Sequence, residues 1–162
     1  MTSSGSESGP RPDGPLHALL RRCRADEALL RGLRQVYRLA DRAAADGDEV
    51  CLGGGACCKF DLADHRLYVS TAELALLTAE APPDPSRARR RRCPYQKGPI
   101  CTARARRPLG CRTFFCSPRR KLPLQRIAER LHRQVRMLHE RHCIPYSYAD
   151  LCEVCLQLFT SE

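Results

Sequence analysis

Residues 93–118 read CPYQKGPICTARARRPLGCRTFFCSP, and they constrain the possible folds more than any other segment of the chain. It carries four cysteines, and its prolines and glycines interrupt every long helical or strand pattern. Such a segment buries too little apolar surface to order itself unaided. We therefore expect a cross-link through its cysteines to hold this part of the chain in place.

The cysteine content points to the kind of cross-link. The chain has 162 residues, a length that fits one domain, and eleven of them are cysteine. An odd number excludes complete internal disulfide pairing, and residues 1–15 lack the features of a secretory signal, so we expect a reducing, cytoplasmic compartment. Metal or cluster ligation is therefore the first interpretation, with a disulfide scaffold as the minor alternative. No apolar run is long enough to span a membrane.

The cysteines divide into two sets by their local sequence. One set lies on or beside predicted amphipathic helices, where a free cysteine usually serves as a small core hydrophobe: Cys23, Cys143, Cys152 and Cys155. The other set lies in irregular segments rich in glycine and proline, where a free backbone lets thiolates converge: Cys51, Cys57, Cys58, Cys93, Cys101, Cys111 and Cys116. These seven loop cysteines are the candidate metal ligands.

A thiolate site of this kind needs compensating charge and shelter from water. Four thiolates around Zn²⁺, or around a doubly charged four-iron cluster, leave a net charge of about −2. Arg107 and Arg112 flank Cys111 closely enough in sequence to supply positive charge. The glycines at 53–55 permit positive φ, which lets the backbone wrap a metal. Four apolar side chains are candidates to exclude water: Phe60, Ile100, Phe114 and Phe115.

The cysteine blocks resemble a known family. Residues 51–58, Cys-Leu-Gly-Gly-Gly-Ala-Cys-Cys, resemble the CxxCGxCC start of the YkgJ-type cysteine-cluster family, a zinc- or iron-chelating domain. Residues 93–95 and 107–116, with one cysteine between them, resemble its second half, written CP(F/Y)…C…RPxxCR. The resemblance implies a zinc or iron site without choosing between the metals. The chain departs from the family pattern at Gly54, which stands where the family has its second cysteine.

The sequence on either side of the cysteine blocks predicts helices. Residues 1–14 are polar and predict a disordered tail. From Leu16, apolar residues recur every three or four positions, which predicts one long helix, or two with a break near Asp26, which would cap the second. Another amphipathic helix follows Leu124 and ends before Ile144, and the last helix covers about residues 148–159.

The segment between the cysteine blocks predicts shorter elements. Alternating apolar residues over 60–69 predict two short strands joined by a turn, that is, a β-hairpin. Ser70 and Glu73 form a capping box that opens a short helix over 71–80. Residues 81–92 combine prolines with a run of arginines and predict a solvated loop.

We therefore predict a mainly α, small metal-stabilised domain with irregular cysteine-rich loops and a short β-hairpin. Four regions follow one another along the chain: a disordered tail at 1–14, an N-terminal helical region at 15–48, a cysteine-cluster metal-binding domain at 49–118, and a C-terminal helical hairpin packing on it at 119–162. The predicted function is chelation of an iron–sulfur cluster or zinc, in a structural or redox role. The sequence specifies no protein partner.

Other functions compete with this one. The net charge is +10, which favours as the alternative a basic nucleic-acid-binding module with a structural zinc. Few aromatic side chains accompany the arginines for base stacking, so this alternative is not preferred. Redox sensing by thiols is a third possibility. No catalytic constellation is identified, and five histidines are interpreted as solvated surface residues: His17, His65, His132, His139 and His142.

Overall fold

The computed structural model of the chain describes residues 14–46, 54–114 and 118–159. The helices in chain order are α1 (Pro15–Ala25), α2 (Glu27–Ala45), α3 (Phe60–Ala63), α4 (Thr71–Leu77), α5 (Pro85–Arg89), α6 (Leu109–Thr113), α7 (Pro118–Arg141) and α8 (Leu151–Gln157). The strands are β1 (Tyr68–Ser70), β2 (Gln96–Lys97), β3 (Ile100–Cys101) and β4 (Tyr148–Asp150). The mainly helical class predicted from the sequence is confirmed. The predicted tail up to residue 13, Cys51, Phe115 and Cys116 lie outside the described residues.

The break between α1 and α2 falls where the sequence predicted it. The carboxylate of Asp26 accepts a hydrogen bond from the backbone N–H of Leu29 at 2.9 Å, which satisfies one of the free amides at the start of α2. A second contact joins the same carboxylate to Nδ1 of His142 at 2.7 Å. Asp26 therefore caps α2 and ties it to the residue that follows α7.

The strands form two small antiparallel pairs, and their placement differs from the prediction. β1 pairs with β4, so that Val69 lies opposite Ala149, and β2 pairs with β3 in a hairpin. The hairpin predicted over 60–69 was wrong, because residues 60–63 are helical and Asp64, with φ 45°, ends that helix. The hairpin lies at 96–101, where Gly98 adopts φ 57° in the turn.

A single hydrophobic core joins the helices. α2 packs on α7 and α1 packs on α4. Their apolar stripes supply the fully buried side chains of the core, including Leu20, Leu29, Leu33, Leu74 and Val135. No helix within the described ranges is long and apolar enough to cross a membrane.

The capping box at the start of α4 is confirmed and reaches further than the sequence showed. The Ser70 hydroxyl accepts from the Glu73 N–H, and Oε2 of Glu73 accepts from the Ser70 N–H at 2.9 Å. The other carboxylate oxygen of Glu73, Oε1, accepts a hydrogen bond from the N–H of Leu109 at 2.8 Å. This buried carboxylate therefore joins α4 to the first turn of α6.

Shorter elements depart from the predicted bounds. α4 ends at Leu77 rather than at residue 80. The segment 81–92 contains α5 and is not wholly solvated, because Ala88 is buried. Residues 148–150 form β4, so the last helix begins only at Leu151, capped by the carboxylate of Asp150.

Most of the helix-associated cysteines are core residues, as predicted. Cys23, Cys152 and Cys155 are buried. Cys143 is exposed, because its φ of 52° takes it out of the helical conformation just after α7 ends. The prediction that it packs in the core was therefore wrong.

One histidine was also wrongly interpreted as a surface residue. The side chain of His139 is 0% exposed, and its Nε2 atom accepts from the N–H of Ala72 at 3.4 Å. The ring of Tyr146 packs edge-on against it, with the ring centroids 5.1 Å apart. His139 therefore bridges α7 and α4 inside the core.

This burial predicts a loss of stability in acid. Burial lowers the pKa of His139 below its ordinary value of 6.5, and the carbonyls of Ile144 and Pro145 and the Glu73 carboxylate offset this only in part. On acidification the unfolded chain therefore takes up a proton before the folded chain does. Above pH 6.5 the imidazole is neutral in both states, and its contribution to the free energy of unfolding is complete. This contribution is lost as the pH falls through the lower pKa of the folded state, by up to about 1.4 kcal/mol per pH unit.

The measurement is denaturant unfolding between pH 7.5 and 5, compared between the wild type and His139→Gln. The glutamine variant should lose much of the acid dependence. Burial also lowers the pKa of the neighbouring His132, but that contribution is common to both proteins. Equal pH slopes in the two proteins would contradict the prediction.

Candidate metal centre

Loop cysteines from four parts of the chain surround one cavity. Its volume is about 300 Å³, and five of the seven predicted ligands line it: Cys57, Cys58, Cys93, Cys101 and Cys111. All five are free thiols. The other two predicted ligands are Cys51 and Cys116, which lie outside the described residues. The structure thus brings together every loop cysteine that it describes.

A glycine sets the backbone that presents the first two thiols. Cys57 and Cys58 belong to a short 3₁₀ turn that follows Gly55, whose φ is 68°. The side-chain amide of Gln96 donates to the Gly55 carbonyl at 3.0 Å, and a Cβ at this glycine would clash with that amide. Gly55 therefore supplies the left-handed conformation of this turn, as expected for one position of the glycine run at 53–55.

Hydrogen bonds also connect the two cysteine blocks. The N–H of Cys93 donates to the carbonyl of Cys58 at 2.8 Å. The N–H of Asp61 donates to the carbonyl of Arg91 at 3.0 Å, and the Asp61 carboxylate pairs with Arg92 at 3.0 Å. Backbone and side-chain bonds therefore hold the first block against the second, in addition to any contribution from a metal.

The cavity thiols influence one another's ionisation. A hydrogen bond with the Cys57 thiol lowers the pKa of Cys58. The Cys93 thiol and burial have the opposite and larger effect, and together they raise the pKa of Cys58 to about 12. The Cys58 thiol, followed by burial, raises the pKa of Cys57. Burial, followed by the charges of Cys58 and Cys101, raises the pKa of Cys111. In this arrangement these three side chains are neutral thiols at pH 7.

The two predicted compensating arginines differ in position. The Arg107 side chain lines the cavity and lowers the pKa values of Cys57 and Cys111, opposing the effect of burial. Arg112 is buried elsewhere: its Nη1 donates to Asp41 at 2.6 Å, and its guanidinium stacks 4.2 Å from the centre of the Tyr37 ring. Of the two predicted arginines, Arg107 is therefore the one whose charge reaches the cavity, and it also lies 3.6 Å from Asp41. Arg66 and Arg104, which were not predicted, line the cavity as well.

The apolar surroundings agree with the prediction only in part. Phe60 is buried and lines the cavity. Phe114 also lines it but is partly exposed, with its ring stacked on that of His65 at 4.9 Å. The side chain of Ile100 is 66% exposed, so the expectation that it excludes water was wrong. It lies on the two-residue strand β3, and the hairpin leaves it in solvent.

Several other residues that line the cavity could not be predicted from the sequence. His65, interpreted from the sequence as a solvated surface residue, lines the cavity, and its Nε2 atom lies 2.9 Å from the carbonyl oxygen of Cys57. Tyr68 and Tyr148 meet across the β1–β4 pair with their ring centroids 5.5 Å apart, and both line the cavity. The sequence around either tyrosine does not predict this contact, because the β1–β4 pairing joins distant parts of the chain.

The thiols share a cavity but are not gathered around one point. Among the described residues, no three side chains of His, Cys, Asp or Glu are placed so that they could hold a metal ion.

Fold and site together define a mainly helical, cysteine-rich protein with a thiol-lined cavity. Comparison with protein-family models, with curated proteins and with solved structures gives no match for this chain. The resemblance to the YkgJ-type family therefore stays a prediction based on the cysteine motifs alone.

Proposed function

We propose that the chain binds zinc or an iron–sulfur cluster through the thiols around this cavity, in a structural or redox role. The observation that carries the proposal is that five cysteines, from four separate segments, line the same 300 Å³ space. The ordered cysteine motifs that resemble the YkgJ-type family support it from the sequence. The reducing, cytoplasmic compartment proposed from the cysteine usage would keep the thiols available as ligands.

The electrostatics of the cavity favour a cation. Burial and the charges of neighbouring thiolates raise the pKa values of Cys57, Cys58 and Cys111, because several thiolates in one small space would repel. A divalent metal or a cationic cluster removes that repulsion, and thiolate is the ligand type that zinc and iron–sulfur clusters prefer. Arg107 would compensate the excess negative charge of the loaded site.

Binding requires the thiols to move closer together than they stand. Four of the five thiols are carried by short elements: two by a 3₁₀ turn of 3 residues, one by a strand of 2 residues and one by a helix of 5 residues. The helix α6 packs on the long helices α2 and α7. We therefore expect most of the shift to come from the 3₁₀ turn and the strand. We therefore propose that the metal both gathers the thiols and rigidifies residues 54–114.

The test is anaerobic purification followed by elemental analysis and visible absorption spectroscopy. Iron with acid-labile sulfide and visible absorption would identify a cluster, whereas stoichiometric zinc without colour would identify a zinc site. Because metal binding adds to the folding free energy, removal by a chelator should lower the unfolding temperature by roughly 10 °C or more. A reduced protein that binds neither zinc nor an iron–sulfur cluster on reconstitution, with an unchanged unfolding temperature, would overturn the proposal.

A further inference from the structure

A second concave surface lies between α2 and α7 and shares no lining residue with the cysteine cavity. It is a groove of about 610 Å³. At its floor, Gly32 of α2 meets Leu138 of α7, and a Cβ at the glycine would lie 2.6 Å from Cδ2 of the leucine. The missing side chain therefore leaves room for Leu138 between the two helices.

Arginines line both sides of this groove. Arg31, Arg34 and Arg38 follow one another at spacings of three and four residues, which places them on one face of α2. Arg141 lines the groove from α7. From the first to the last of the three on α2, the helix rises about 10 Å. The groove is thus bordered by a row of guanidinium groups rather than by a single cation.

These positive charges are largely uncompensated. Arg31 lies 3.9 Å from the Glu27 carboxylate, but both side chains are exposed, at 70% and 87%, and such a pair is weak. Within the described residues, Arg34, Arg38 and Arg141 make no ion pair. No acidic side chain is among the residues that line the groove. Neighbouring guanidinium groups therefore repel one another, and an anion placed between them would relieve this repulsion.

We propose that the α2–α7 groove binds an oligophosphate, a chain of linked phosphate groups such as inorganic triphosphate or the triphosphate part of a nucleotide. Guanidinium forks bind phosphate oxygens in pairs, which adds geometric specificity to the charge attraction. A single small anion would leave most of a row about 10 Å long unpaired. No Phe, Tyr or Trp is among the described residues that line the groove, so a base has no aromatic surface on which to stack.

The test is calorimetric titration of the full chain with inorganic triphosphate at low and high salt. We expect saturable binding that weakens as salt is raised. Replacing Arg34 and Arg38 together by alanine should weaken this binding about tenfold or more, because each removes charged hydrogen bonds. The matched control replaces Arg130 and Arg133 by alanine, which removes the same charge from exposed positions on α7 outside the groove. That control should change the affinity by less than about threefold, as expected for screened charges.

Three results would overturn the proposal. The first is no measurable binding of triphosphate by a protein that circular dichroism shows to be folded. The second is an equal loss of affinity in the two double variants, which would indicate a general charge effect. The third is binding of a single-stranded oligonucleotide, lost in the groove variant, without any binding of triphosphate; this would assign the groove to a nucleic-acid backbone. Competition of triphosphate with that oligonucleotide would instead support the proposal.

Discussion

Replacing Cys111 by alanine is expected to remove most of the bound metal and to destabilise the chain strongly. Cys111 lines the cavity with the other four described loop cysteines, and the charges of three of them contribute to the raised pKa of its thiol. Structural zinc in small domains contributes about 10 kcal/mol or more to folding, and loss of one ligand forfeits much of this. We expect metal content to fall by about tenfold, in line with the dependence of such sites on a full ligand set.

The matched control is Cys152→Ala, which removes a buried cysteine that does not line the cavity. Its Sγ atom contacts the carbonyl of Arg92 at 3.6 Å, and its loss should cost about 1–2 kcal/mol while metal content stays unchanged. Elemental analysis and thermal unfolding of the two variants provide the comparison. Full metal content in Cys111→Ala, or equal loss in both variants, would show that the ligand assignment is wrong.

The features predicted correctly are those set by residues close together in sequence. Asp26 lies three residues before the amide that it caps, and Ser70 and Glu73 have the same spacing. The long helices follow from apolar residues that recur with the helical period, which is likewise a local pattern. These elements could be predicted because the physical interactions that form them act within one or two helical turns.

The strand pairing could not be predicted in this way. β1 and β4 are about eighty residues apart, and β1 is only three residues long. The alternation of apolar residues over 60–69 showed that this segment could form a β-strand. It did not show which other segment would supply the hydrogen bonds of the pair. Phe60 instead begins a short helix, and Val69 finds its partner beyond the end of α7. Long-range pairing of this kind leaves no signal in a single sequence.

In the candidate site, too, some features could be predicted from the local sequence and others could not. The loop cysteines were identified by composition, since glycine- and proline-rich segments allow thiols to converge. Composition did not predict the direction in which each side chain points. Cys111 and Arg112 are adjacent on α6, and successive residues of a helix project about 100° apart. One therefore lines the cavity while the other reaches Asp41. Nearness in sequence was a poor guide to which charge compensates the site.

Replacing Glu73 by alanine should produce a large loss of stability, comparable with that of truncating a buried core leucine. The carboxylate is 1% exposed and accepts from two buried N–H groups, those of Ser70 and Leu109. Its removal leaves both donors without this partner, and each buried unsatisfied group costs about 1–3 kcal/mol. A total of about 3–5 kcal/mol is a large part of the stability of an ordinary domain. The measurement is the free energy of unfolding in denaturant.

Glu153→Ala is the matched control, because Glu153 occupies the same third position in the first turn of its helix. Its carboxylate is 67% exposed and pairs with Arg66 at 3.0 Å, so its loss should cost less than about 1 kcal/mol. Because Glu73 holds the start of α6, which carries Cys111, we also expect Glu73→Ala to weaken metal binding while Glu153→Ala does not. Similar unfolding free energies for the two variants would show that the buried carboxylate does not hold α4 and α6 together.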